Sequence, residues 1–213
     1  KPDAFVTVAT RLQQAGLFVR DEPNHRLVVE KPFGESRTSA EESQARLMTL
    51  AVEEQVYRID HYLGKDMIRN LLAIRFANRI FAESWHGRAI ETVEITSIET
   101  AGAEERFEYY DRAGAINDMV QSHLLQMLAL VAMAAPDNFE AEPIRRRKID
   151  VLQHVGLNPD RPPVLGQYRG YGPEGSASLT ETYVEVALRV DSGQWPDTVF
   201  LLKTGKKLGE KRT

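Results

Sequence analysis

Cysteine is absent, which removes disulfide frameworks, thiolate nucleophiles and thiolate metal sites and agrees with a reducing, cytosolic compartment. Any metal would need other ligands, and the sequence singles out no metal site. Basic charge is short as well. Against 31 Asp and Glu stand 27 Lys and Arg, a formal net charge of −4, whereas binding nucleic acid through its phosphates needs a surplus of cations on one surface. The one dense basic run, Arg145-Arg146-Arg147-Lys148, reads as a solvated helix end before it reads as a polyanion site. Long apolar runs are missing too: none approaches the roughly 20 residues of a bilayer-crossing helix, and the first residues do not resemble a signal peptide. Nucleic acid and membrane are therefore not expected as partners. There is no internal repeat. What is present is 213 residues, 42% of them hydrophobic, enough to bury a core as one domain or as parts of two. The chain opens Lys1-Pro2-Asp3 without a Met and stops at Lys211-Arg212-Thr213, just after a strand-like run. It is expected to be cut at both ends.

Asp3 can cap a first helix whose apolar positions Phe5, Val8, Ala9 and Leu12 fall at helical spacing, with Gly16 to end it. Arg26 to Glu30 is short and β-branched and is closed by Lys31-Pro32-Phe33-Gly34, so it predicts a strand. Helix then strand is the tail of a βαβ unit, and in open α/β sheets ligands bind beyond the carboxyl ends of strands, where Lys31 would lie. Ser36 to Val52 predicts a helix, Gln55 to Ile59 a strand, and helical periodicity resumes at Met67 after Gly64. Between Ile90 and Thr100 apolar and polar residues alternate, predicting an antiparallel strand with one buried face. Gly114 precedes a Leu- and Met-rich helical run from Ile116 to Met133, and Pro136 ends it. A polar helix to about Val155 follows, then three strands at 164–169, 182–190 and 198–204.

Arg58-Ile-Asp-His-Tyr-Leu-Gly-Lys65 is the densest constellation, with cations, a phenol and a carboxylate at a strand-to-helix junction. Phosphate suits such a place, because a helix start has unpaired N–H groups and the positive end of the macrodipole, to which His61 and Lys65 add charge. A plain helix start in which His61 and Tyr62 pack and Lys65 is solvated fits the spacing equally well. His123 sits among Leu124, Leu125, Met127 and Leu128, where a hydrogen-bonded core histidine is the usual reading. Asp118 precedes it by five positions, which α-helical geometry places roughly 140° around the axis. Glu99 on its strand and Lys206 after Gly205 read by default as solvent-facing.

Six segments, in order and spacing, resemble the glucose-6-phosphate dehydrogenase family: Val29-Glu-Lys-Pro-Phe-Gly34, Tyr57 to Lys65, Arg75-Phe-Ala-Asn-Arg-Ile-Phe81, Asp118 to Met127, Val164-Leu-Gly-Gln-Tyr168 and Gly205-Lys-Lys-Leu208. The resemblance implies an α+β fold: the remnant of a Rossmann domain over residues 1–34, then a substrate domain over 35–213, truncated at its C-terminus, with a large mainly antiparallel sheet and helices on one face. It implies oxidation of glucose 6-phosphate at C1 to the 6-phospholactone, the first step of the pentose phosphate pathway, with hydride passing to NADP or sometimes NAD, and a homodimer or homotetramer. By the same resemblance His123 is the general base, Asp60 its orienting carboxylate, and His61, Tyr62 and Lys65 the phosphate grip. Glu99 and Asp118 hold sugar hydroxyls, Lys206 and Lys211 lie on the sugar and phosphate side, and Lys31 faces both substrate and nicotinamide, ahead of a typically cis bond to Pro32.

Two departures accompany it. Ala103-Glu-Glu-Arg-Phe107 stands where the family has a Gly-rich stretch. The strand, Gly-rich turn and helix that open the family's dinucleotide half are not found, so the chain alone is expected to be inactive. The rival expectation is a non-catalytic sugar-phosphate-binding module or truncated paralogue. Against it, both His123 and Asp60 are present.

Overall fold

The computed structural model describes residues 4–31, 33–34, 36–173, 177–209 and 211–213. The helix cap expected at Asp3 and the cis bond expected at Pro32 lie outside the described residues. The chain forms two compact units, Lys1–His61 and Tyr62–Thr213.

In the first unit α1 (Ala4–Gln14) precedes β1 (Leu27–Glu30), α2 (Arg37–Leu50) and β2 (Val56–Ile59). Gly16, at φ +71°, turns the chain after α1, and the Leu17 and Phe18 N–H groups reach back to the Leu12 carbonyl at 2.9 and 3.2 Å. The buried stripe of α1 runs through Val6 and Ala9, while Val8, expected on it, is 53% exposed. Ser36 caps α2 reciprocally with Ser39. β1 and β2 pair in parallel, Leu27 opposite Val56 and Glu30 opposite Ile59. Two parallel strands joined through a helix make a βαβ unit, so this unit runs on to His61 and past the Gly34 boundary expected from sequence. Val29 and Val56 from the strands and Ala9, Leu47 and Ala51 from the helices fill its core.

The second unit adds α3 (Asp66–Phe76), α4 (Arg79–Ala82), β3 (Thr92–Ile98), α5 (Phe107–Ala115), a π-helix (Ile116–Leu124), α6 (Leu125–Ala132), α7 (Ala141–Gln153), β4 (Val155–Leu157), β5 (Val164–Gly166), β6 (Tyr183–Val190) and β7 (Val199–Gly205). The sheet order is β3-β7-β6-β4, with β5 also on β6. β6 is antiparallel to its three neighbours, but β3, expected to be antiparallel, runs parallel to β7 from Thr92 opposite Val199 to Ile98 opposite Gly205. The sheet is thus mixed. The helices and β4 to β6 intervene between β3 and β7, which supplies the long crossover that a parallel pair requires; the alternation in β3 reports a buried face and says nothing of its partner's direction. β4 replaces the expected end of α7.

The run expected as one regular helix divides in two. Gly114, at φ 65° and ψ 176°, breaks it from α5, and Ile116–Leu124 winds as a π-helix before α6 continues. At the junction the Leu125 N–H bonds the Val120 carbonyl, five residues back. Leu124, Leu128, Met133, Phe200 and Leu202 are almost fully excluded from water in the core between this helix and the sheet. Successive carbonyls at the end of α6 are closed by side chains from elsewhere: Arg75 donates to Leu130 and Met133 at 2.5 and 2.7 Å, Trp85 to Val131 and Trp195 to Ala132, both at 2.8 Å. These are the carbonyls that a helix end leaves without partners. The Arg145–Lys148 run lies inside α7, where Arg145 pairs with Glu142 and Arg147 with Asp137, so it is solvated as expected but is not a helix end.

Candidate active site

Within the first unit, Lys31 and Asp60 each follow the last registered pair of the parallel ladder, Glu30 opposite Ile59. Both therefore lie at the carboxyl edge of the two-stranded sheet, the edge at which α/β sheets bind ligands. His61, exposed, opens a 3₁₀ turn that runs to Gly64. Arg58, from the same constellation, is held by Glu53 at 2.6 and 3.0 Å and by Gln44 at 2.8 Å, and so braces β2.

Tyr62 and His123 meet in the second unit, their rings stacked with centroids 4.3 Å apart and planes 24° from parallel. His123 is 1% exposed. The Tyr62 hydroxyl shares a hydrogen bond with Ser97 Oγ at 3.0 Å, below the end of β3. Lys65, the residue before α3, holds its ammonium 3.8 Å above the outer face of the Tyr62 ring and donates to Thr213 Oγ1 at 3.3 Å. Arg212 pairs with Ile98 through both backbone groups, so Lys211, itself exposed, runs beside the end of β3.

The π-helix changes the relation of Asp118 to His123. A ladder joining residues five apart makes positions i and i+5 successive occupants of one face, so the two share a side of the helix that α geometry would have denied them. Both are buried. Tyr109 donates to Asp118 Oδ1 at 3.2 Å, and burial beside that carboxylate pushes the Tyr109 hydroxyl up to about 12. Tyr110, buried and near the same charge, also holds its proton more tightly than usual.

Glu99 and Lys206 follow the ends of the parallel strands β3 and β7. Their side chains pair at 2.5 Å, with 35% and 17% of each exposed, and the Lys206 ammonium also lies 5.2 Å over the Tyr110 ring. Asp118, Tyr110 and Lys206 line a cleft of about 240 Å³ whose outer wall is the loop Ala101–Arg106. That loop is fastened by Lys207, whose ammonium bonds Glu104 at 3.0 Å; a hydrogen bond from its own backbone, and then this ammonium, hold the Glu104 carboxyl below the usual carboxylate range. The cleft offers carboxylates as acceptors for hydroxyls and a partly buried ammonium as donor, and Asp118 in its lining shares a helix face with His123.

Residues 72–213 match the family model "Glucose-6-phosphate dehydrogenase, C-terminal domain", and residues 1–70 match the model of its "NAD binding domain". The chain belongs to the glucose-6-phosphate dehydrogenase family. The glucose-6-phosphate 1-dehydrogenase of Rhizobium meliloti (strain 1021) is 40% identical over 97% of this chain and 45% of its own length. That of Bacillus subtilis (strain 168) is 40% identical over 100% of this chain and 47% of its own. The chain thus spans less than half the length of these relatives. Among solved structures, the enzyme from Mycobacterium avium superposes with a TM-score of 0.87 at 39% identity, covering 99% of this chain and 47% of that one. A glucose-6-phosphate dehydrogenase in complex with its substrate glucose 6-phosphate gives 0.89 at 33% identity, covering 99% and 46%.

Relative to the family reading, the sequence did not single out Ser97, Tyr109 or Tyr110 as neighbours of the site. Only the Tyr-Tyr pair next to an acidic, Gly-broken helix start hinted at them. Gly170-Tyr-Gly-Pro-Glu-Gly175 carries the letters of a dinucleotide fingerprint but not its context. Tyr171 is buried against Phe107, Tyr110 and Tyr168, and residues 177–182 run to β6 with no helix.

Proposed function

We propose that this chain carries the sugar-phosphate and proton-transfer side of a dehydrogenase that oxidises glucose 6-phosphate at C1 to 6-phosphoglucono-1,5-lactone. NADP, or NAD, supplies the hydride acceptor when bound. The observation that carries the reading is the buried His123, stacked on Tyr62 and sharing a helix face with Asp118, which lines a cleft together with Lys206. His123, its ring stacked on Tyr62, takes the proton of the C1 hydroxyl. Asp60, two positions before Tyr62 in the chain, is the orienting carboxylate that the family resemblance implies for this base. Asp118 and Glu99 accept hydrogen bonds from sugar hydroxyls, and Lys206 pairs with Glu99. Lys65 at the start of α3, with His61 and Lys211, holds the phosphate, because helix N–H groups and cations there favour a dianion. Lys31 lies at the strand edge where sugar and nicotinamide meet.

In a polypeptide of the relatives' length carrying this sequence, glucose 6-phosphate is expected to drive NADP reduction, and His123→Asn to abolish most of it. The 213 residues assayed alone are expected to be inactive, since a strand, Gly-rich turn and helix for the pyrophosphate are lacking in the sequence. Full turnover by His123→Asn would assign the base to another residue.

A further inference from the structure

A π-helix of nine residues is rare, because its hydrogen bonds compete with the α register available to the same residues, and something must hold it. We propose that Glu181 is a positioning residue that sets the register of Ile116–Leu124 and so the placement of His123 and Asp118; the proposal deepens the function proposed above and rests on it. Glu181 lies in the irregular segment before β6, 65 positions from Ile116, yet its Oε1 accepts the Ile116 N–H at 2.9 Å. Its backbone carbonyl accepts the Ala115 N–H at 3.0 Å. One distant residue thus takes two N–H groups at the helix start, and its negative charge faces the positive end of the macrodipole. The same carboxylate fills the space beside Gly114: a Cβ built there would lie 2.3 Å from Glu181 Oε1. Gly114 therefore turns away at φ 65° with no side chain, and α5 cannot run on.

Without Glu181, the Ala115 and Ile116 N–H groups would find the Asp111 and Arg112 carbonyls, and α5 would continue in the α register. Wound on in the α register, Asp118 and His123 would stand roughly 140° apart around the axis, which removes His123 from the face it shares with Asp118. The wedge is itself anchored. The next residue, Thr182, is 1% exposed, donates its N–H to Gly166 at 2.8 Å and accepts the Lys206 N–H at 2.9 Å. Its hydroxyl accepts the Tyr168 N–H at 2.9 Å. The pair Glu181-Thr182 therefore ties the start of the π-helix and the backbone of Lys206 to one turn of the sheet.

The test compares Glu181→Ala with Glu181→Gln, which keeps the acceptor oxygen, in the polypeptide of the relatives' length. Glu181→Ala is expected to lower kcat about 10- to 100-fold with a smaller change in KM, and to lose amide hydrogen-exchange protection at 116–124 while α7 and β6 keep theirs. Glu181→Gln is expected to restore both readouts to within a few-fold. Should the alanine variant not fold, Glu181→Asp, which retracts the carboxylate by one methylene, is expected to show the same kcat loss in a folded protein. Unchanged kcat and protection in Glu181→Ala, or equal damage in Glu181→Gln, would overturn the proposal. If the parent polypeptide does not oxidise glucose 6-phosphate, the functional reading fails, and exchange at 116–124 still decides the role of Glu181.

Discussion

The π-helix with α6 and the following helix α7 are close in sequence, and they differ in what holds them. The first is broken at Gly114, has its first N–H groups taken by Glu181 and its last carbonyls by Arg75, Trp85 and Trp195, and buries His123 and Asp118. The second is regular, places Arg145 and Arg147 in exposed ion pairs, and buries only Val151. A helix whose polar groups are closed by several distant side chains is fixed to within one register, which chemistry needs; a helix closed mainly by groups near its own ends can slide or fray at smaller cost.

The largest effect expected is catalytic. In the polypeptide of the relatives' length, His123→Asn should lower kcat by about 10²- to 10⁴-fold, with less change in KM. Asp60→Asn should be slow as well, and the double variant little worse than His123→Asn, since the two act as one unit. Additive losses would dissolve that pair and leave His123 no more than a core residue.

Next comes Arg75, 2% exposed and stripped of solvent, so that burial pulls its pKa down to about 10, still charged at neutrality. Arg75→Leu strands the Leu130 and Met133 carbonyls and should cost about 3 kcal/mol, read as a shift of the urea midpoint at unchanged slope. Lys should not rescue it, because one ammonium lacks the planar fork that spans two carbonyls. A loss under about 0.5 kcal/mol would erase the contrast with α7.

Lys65→Ala should weaken glucose 6-phosphate by about tenfold or more, the worth of a lost charge-assisted bond, while affecting free glucose far less. Equal weakening of both sugars would make Lys65 a packing residue on Tyr62 and no phosphate ligand.

Tyr109 gives a pH test. Its folded pKa, about 12, lies above the ordinary value of 10.0, so its contribution is complete below pH 10 and is lost as pH rises from there through about 12. Tyr109→Phe should therefore flatten the alkaline fall of unfolding free energy in that window, and an unaltered slope would count against a buried bond to Asp118. Smallest of all, Arg145→Ala on α7 should stay within about 0.5 kcal/mol, as exposed ion pairs do; a larger cost would break the comparison from the other side.

Much of this was legible in the residues. The apolar spacing of α1, the strand at Leu27–Glu30 and the junction Arg58–Lys65 were all readable, because each depends on neighbours within one or two turns. Val8 was placed on the wrong side of α1, since several residues of that helix are apolar and only packing picks the stripe. The pairing of Glu99 with Lys206 was not readable at all: each alone looks like a solvated residue at a strand end, and 107 positions separate them.

The sequence by itself determined the family, the position of His123 on an apolar helix and the break at Gly114, because residue types and local periodicity encode them. The tertiary structure decided the parallel return of β7 beside β3, the π register that turns Asp118 to the face of His123, and the ion pair at the cleft. The physical reason is the same in each case. Periodicity reports which face of an element avoids water, whereas strand direction and hydrogen-bond register are fixed by groups that arrive from far along the chain, as Glu181 arrives at Ile116.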